Sequence, residues 1–310
     1  MKNIRITLLL TFLLITQSAF AQVLYSNTFG EKDNPAIIFL HGGPGYNSFT
    51  FEASTGQRLA DEGYYVVVFD QRGCGRSENP DDSQYDFAEA VADVDAVYEQ
   101  FKIKKATLIG HSWGGALGLL YAEIHPEKVD RLVLVGAPMD YPQTFKAILK
   151  HARAAYIESN KEGQLKYLDM LEGMDSESLQ YANYCFIHAM ASGLYTAKNP
   201  APNGKEIAEA MKESEDVKQA MNMTQAPVKG LYDNERYTTL VLYDRLTALK
   251  TNVPVFGMYG SDDGLFDEVQ LDAIKKAVGT DRFSIVKDAS HSVFIDQQDK
   301  FIALLKGYME

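Results

Sequence analysis

The sequence predicts an α/β protein, with a mostly parallel central sheet, helices on both faces and one helical insertion. Three observations carry that prediction. Short β-branched or aromatic runs recur along the chain, the pattern of strands buried on both faces. Segments of helical length separate several of these runs, and strand and helix in alternation imply parallel strands joined by crossovers. Between Pro138 and Lys250 the alternation stops for more than a hundred residues, far longer than an ordinary crossover.

Taken in order, the chain opens on Lys2 and Arg5, an apolar run from Ile6 to Ile15, and small residues at Ala19-Phe20-Ala21. That is the three-part pattern of a secretory signal peptide. Its apolar run is about half the roughly 20 residues a spanning helix needs. Residues 1–21 are therefore expected to be cleaved, leaving an exported protein, periplasmic or secreted, with no stable membrane anchor. Predicted strands follow at Ala36–Leu40, Tyr65–Phe69, 106–109, 132–135, 253–259 and Phe283–Val286. Predicted helices lie at 49–62, Phe87–Phe101, 112–125, Glu268–Val278 and 292–305. The resulting division is a core of 22–137 and 251–310, interrupted by a helical lid over 138–250. The lid is rich in Tyr, Met, Ala and Glu and carries a Pro/Gly turn at 199–204.

Composition excludes some classes of function. With 46% hydrophobic and 23% charged residues, the 310-residue chain falls in the range of soluble enzymes. A net charge of -12 argues against nucleic acid, whose phosphates need clustered Lys and Arg. No CxxC, HExxH or carboxylate-rich loop occurs, so neither a metal nor a cofactor is expected. The two cysteines, Cys74 and Cys185, lie far apart in the chain, and the sequence leaves open whether they are free or paired.

The chemistry starts at Gly110-His-Ser-Trp-Gly114, a G-x-S-x-G between a predicted strand and a predicted helix. This is the context of a nucleophile elbow, with Ser112 as nucleophile. Flanking glycines suit it because side chains there would collide in so sharp a turn. A serine needs a base to take its proton, and in elbow hydrolases the chain order is serine, acid, histidine. Of six histidines, only His291 lies beyond the last predicted strand, in Asp288-Ala-Ser-His-Ser292. The orienting acid is sought after the strand at 253–259, in Gly260-Ser-Asp-Asp-Gly264. An acid three residues after the glycine selects Asp263, with Asp262 as the alternative and otherwise a turn residue. Oxyanion donors are expected from the N–H of Trp113, at a helix N-terminus, and from Gly43 in the turn His41-Gly-Gly-Pro-Gly45.

Three blocks, His41-Gly-Gly-Pro-Gly45, Asp70-Gln-Arg-Gly-Cys-Gly-Arg-Ser77 and Gly110-His-Ser-Trp-Gly-Gly115, resemble those of the proline iminopeptidase branch of the α/β-hydrolases. The resemblance covers roughly 36–138 and 253–301. It implies the α/β-hydrolase fold, two-step acyl transfer without a cofactor, and release of an N-terminal residue from short peptides. It also implies lid glutamates that bind the substrate's amino end. Ala182 stands where one such glutamate is expected; Glu158, Glu172 and Glu177 are acids that could replace it, and each reads more readily as a solvated residue of a helix face. The same blocks occur in related enzymes, so a carboxylesterase or amidase acting on small acyl esters or amides is the alternative. A non-catalytic ligand binder of the same fold is the third reading. Oligomeric state is not readable from the sequence.

Overall fold

A computed structural model describes residues 24–213 and 223–310. The signal peptide expected over residues 1–21 lies outside the described residues. One seven-stranded sheet runs in the order β1-β3-β2-β4-β5-β6-β7. Its strands are β1 Ser26–Phe29, β2 Ala36–Leu40, β3 Tyr65–Phe69, β4 Ala106–His111, β5 Val129–Val135, β6 Val255–Gly260 and β7 Phe283–Val286. All pairings are parallel except that of β1, which runs antiparallel to β3 with Ser26 opposite Phe69.

Six of the strands answer the sequence expectation, three of them with shifted boundaries; β4 runs on to His111 rather than ending at 109. β5 begins at Val129 rather than 132, because Asp130 and Arg131 lie half-buried near its start and break the apolar pattern there. β6 runs Val255–Gly260 rather than 253–259. β1 was not expected: its SNTF is half-buried throughout and has no apolar run. An edge strand with one neighbour needs no continuous apolar stretch.

Successive side chains in a strand point to opposite faces, and the core divides accordingly. Ile38 and Leu40 join Val67 and Phe69 in one cluster, with Val94 and Tyr98 from the helix Phe87–Phe101 and the apolar positions of Trp113–Ile124. Ile37 and Phe39 join Val66 and Val68 in the other, with Phe51, Phe294 and Phe301. Phe39 stacks on Phe51 at 3.8 Å between ring centroids. Each face of the sheet is thus sealed by its own helices.

Between β5 and β6 the described chain is helical: Tyr141–Glu158, Glu162–Glu172, Leu179–Ala191, Pro202–Glu213, Gln225–Glu235 and Tyr243–Leu249. Its two ends are tied together. The amide of Tyr141 donates to Leu240 O at 3.0 Å and that of Leu242 to Met139 O at 2.7 Å. The segment therefore leaves and returns through one hydrogen-bonded stem above β5 and β6. Cys74 and Cys185 are both buried and free, and burial pushes each thiol up to about 12. Among the described residues no helix is long and apolar enough to cross a membrane.

Candidate functional site

β4 ends at His111, and the next residue already caps the helix Trp113–Ile124. Ser112 makes that reversal in one step, at φ 53° and ψ -125°. Non-glycine residues rarely occupy this region, and holding one there costs about 1–3 kcal/mol. The surroundings enforce it: Ser112 N–H donates to Val135 O at 3.0 Å and Gly115 N–H to Ser112 O at 2.9 Å. A Cβ on Gly110 would stand 2.6 Å from Gly115 Cα, so the strand and the helix can meet only at a glycine. The amide of Trp113 opens the helix and has no acceptor within it, and the helix dipole adds partial positive charge there.

The loops after β6 and β7 bring an acid and a base to the same edge of the sheet. His291 Nδ1–H donates to Asp263 Oδ2 at 2.8 Å, and each residue is only 6% exposed. Asp263 Oδ1 accepts the amide of Leu265 at 3.1 Å. With Nδ1 engaged, Nε2 is the imidazole nitrogen left to take a proton. Asp262 has different work: its Oδ2 accepts the amide of Lys198 at 2.8 Å. The structure thus pairs Asp263, and not Asp262, with His291. Gly136, at φ 53°, lets β5 pass beneath the pair, since a Cβ there would lie 3.1 Å from His291 Nδ1 and 3.3 Å from Asp263 Oδ2. The turn at 41–45 lies against the elbow, a Cβ on Gly42 falling 2.9 Å from Ser112 Cβ, and Gly43 follows at φ 129°.

Two histidines not assigned to the site by sequence reasoning brace it. His111 lies against the imidazole of His291, with ring centroids 4.7 Å apart. Its Nε2–H donates to His291 O at 3.1 Å. Burial, and then the nearby His291, hold the His111 pKa well below its ordinary value, so it is neutral. His41 Nε2 accepts the amide of Gln71 at 2.9 Å and Nδ1–H donates to Gly42 O at 2.8 Å, fixing the glycine turn. Burial lowers its pKa also.

Asp70 is the anchor beneath that turn. It is fully buried and accepts from Ser48 N at 2.8 Å, Ser48 Oγ at 2.7 Å, Arg76 N at 2.9 Å and Arg76 Nε at 2.8 Å. Burial pushes its carboxyl up, but the Arg76 bonds, His41 and the two amides outweigh burial and leave its pKa lowered. His111 and Asp70 both stand inside quoted motifs; Arg76 shares the motif of Asp70, whereas Ser48 and the His291 that His111 contacts are distant in sequence.

The lid acids are not brought to the site. Glu158, Glu172 and Glu177 are exposed. Glu172 pairs with Arg153 at 2.7 Å, and Glu177 faces Arg236 at 3.9 Å. Ala182 is fully buried in the larger apolar cluster. Above His291 the contacts are aromatic instead: Tyr195 edge-on at 5.2 Å and Phe266 at 6.5 Å. Among the described residues no group of three or more His, Cys, Asp or Glu could hold a metal ion.

Comparison with known proteins agrees with this architecture. The family model described as alpha/beta hydrolase fold matches residues 35–298. A proline iminopeptidase of Lactobacillus helveticus is 24% identical over 290 residues, covering 92% of this chain and 94% of that one. A crystal structure of a proline iminopeptidase-related protein from Thermus thermophilus aligns at TM-score 0.68 with 21% identity, covering 92% of both chains. An esterase from Exiguobacterium antarcticum aligns at TM-score 0.62, also with 21% identity, covering 92% of this chain and 94% of that one.

Proposed function

Because the chain belongs to the α/β-hydrolase family, we propose that it is a serine hydrolase working through an acyl-enzyme, with Ser112, His291 and Asp263 as its triad. The observation that supports this most is the 2.8 Å bond from His291 to Asp263 at the sheet edge where Ser112 holds its strained turn. Ser112 Oγ attacks a carbonyl carbon as His291 Nε2 takes its proton. The oxyanion accepts hydrogen bonds from the amides of Trp113 and Gly43, and the leaving group departs with the proton held by His291. Water then attacks the acyl-enzyme by the same route.

For the substrate, the reading with most support is a small carboxylic ester or amide with an uncharged acyl group. A buried ammonium needs a paired carboxylate, and Glu158, Glu172 and Glu177 stand at the surface. A second reading, removal of an N-terminal residue from a short peptide, is supported by the likeness to a proline iminopeptidase over 92% of the chain. Values of kcat/KM for Pro- and Ala-arylamides with free and with acetylated amino groups, beside matched simple esters, separate the two. The ester reading expects indifference to the free amine and faster turnover of uncharged esters. Cleavage confined to free-amine substrates would overturn it in favour of the aminopeptidase.

A further inference from the structure

The helical insertion meets the site at several points, among them His151 Nδ1 at 2.8 Å from Gly264 O and Thr224 N–H donating to Gly45 O at 2.8 Å. Its residues 194–201 form a stretch whose hydrogen bonds reach both the segment that carries the acid and the one that carries the base. On the acid's side, Gly264 N–H donates to Leu194 O at 3.0 Å, and Lys198 N–H donates to Asp262 Oδ2 at 2.8 Å. On the base's side, Ser290 Oγ lies 2.7 Å from Tyr195 O, Gln297 Nε2 lies 3.4 Å from Asn199 O, and Ala201 N–H donates to Asp296 O at 2.9 Å. Asp296 Oδ2 in turn takes the amide of Ser290 at 2.7 Å and shares its hydroxyl proton at 2.5 Å. Between these ties the ring of Tyr195 stands edge-on to the imidazole of His291, at 5.2 Å and 81°.

The loops carrying Asp263 and His291 spring from different strands and are joined by the 2.8 Å bond between the two side chains, by Asp262 N–H donating to Ala289 O at 2.8 Å and by Asp288 N–H donating to Ser261 Oγ at 3.0 Å. We propose that residues 194–201 form a strap that holds the two loops in register, with Tyr195 the positioning residue whose ring fixes the plane of the imidazole. The inference rests on the reading of Asp263 and His291 as orienting acid and base. Catalytic geometry tolerates little error: a misplacement of about 1 Å can cost about 100-fold in rate. A ring packed on a neighbouring ring resists such tilt through contact alone, so the phenyl group of Tyr195 is sufficient and its hydroxyl is dispensable.

The test uses the full-length protein, a good small ester, and labelling of Ser112 by a fluorophosphonate. Tyr195→Ala is expected to lower kcat by roughly 10- to 100-fold with KM changed by less than about 3-fold, the split expected when geometry and not binding is lost. Tyr195→Phe is expected to restore kcat to within about 2-fold of wild type, since ring contact survives. Asp262→Ala, which cuts the tie at Lys198 and leaves the ring in place, is expected to lower kcat in the same sense at unchanged KM. Wild-type kcat in folded Tyr195→Ala, a loss carried by KM, or a Tyr195→Phe variant as slow as Tyr195→Ala would each overturn the strap. Failure of the underlying triad is distinguishable, because the wild-type protein itself would then escape labelling at Ser112.

Discussion

Ser112 is a side-chain-bearing residue held at φ 53°, where glycine would sit without strain. Ser112→Gly is therefore expected to raise the melting temperature, releasing up to about 1–3 kcal/mol of strain, while abolishing turnover. Ser112→Ala keeps the strain and is expected to lower kcat by about a millionfold, as triad members act as a unit. The two adjacent acids separate in the same assay. Asp263→Asn loses the carboxylate on His291 and should lose about ten-thousandfold in kcat. Asp262→Asn keeps an oxygen for the Lys198 amide and should stay near wild type. A pH titration of stability reads the buried histidines. His41 and His111 both have pKa values lowered from 6.5 by burial, so below about pH 6.5 the unfolded chain binds protons that the folded chain refuses. Stability is thus complete above pH 6.5 and falls as pH drops toward the folded values. His111→Gln should flatten that fall in a series of thermal melts; an unchanged slope would contradict it. The sharp turn at Ser112 and the pairing of Asp263 with His291 were legible because each residue belongs to a local motif in a fixed chain order. The partners of His111 and Tyr195 were not, because ring contacts across the fold leave no pattern in sequence.

At the scale of elements, the elbow and the glycine turn work only if two loops are pinned. Asp70 pins the second, tying Ser48 to Arg76 from a fully buried position. Removing one member of a buried pair costs about 3–5 kcal/mol where the partner is left unpaired, and here Arg76 keeps Glu52 at 2.9 Å. Because the Arg76 side chain is 32% exposed, Asp70→Ala is expected near the lower end, about 3 kcal/mol, read as a lower urea midpoint at unchanged slope. The strands β2 to β7 were readable because each carries a β-branched or aromatic run, buried on both faces in β2, β3 and β4 and still apolar in the half-buried edge strand β7. β1 escaped notice because Ser26–Phe29 has one sheet neighbour and no apolar run. The insertion was visible as a break in alternation. Its strap was not, since the ties at Leu194, Tyr195, Lys198, Asn199 and Ala201 all use backbone atoms, which residues supply alike, proline lacking only the N–H.

For the whole molecule, the sheet sets the site where the fold's logic places it, at the carboxyl ends of β4, β5, β6 and β7, with the two apolar clusters holding those ends rigid. The insertion then completes the surroundings of the base from above. Substrate class was the least legible property, because it depends on which side chains of the insertion face inward. Glu158, Glu172 and Glu177 face solvent, as their reading as solvated residues expected. The central claim, that this scaffold activates Ser112 through His291 and Asp263, is tested most directly by labelling with a fluorophosphonate and mapping the adduct by peptide mass spectrometry. One adduct per chain on Ser112, strongly slowed in His291→Ala and Asp263→Asn, is the predicted result. A folded protein that takes no adduct, or takes it on another residue, would contradict the account.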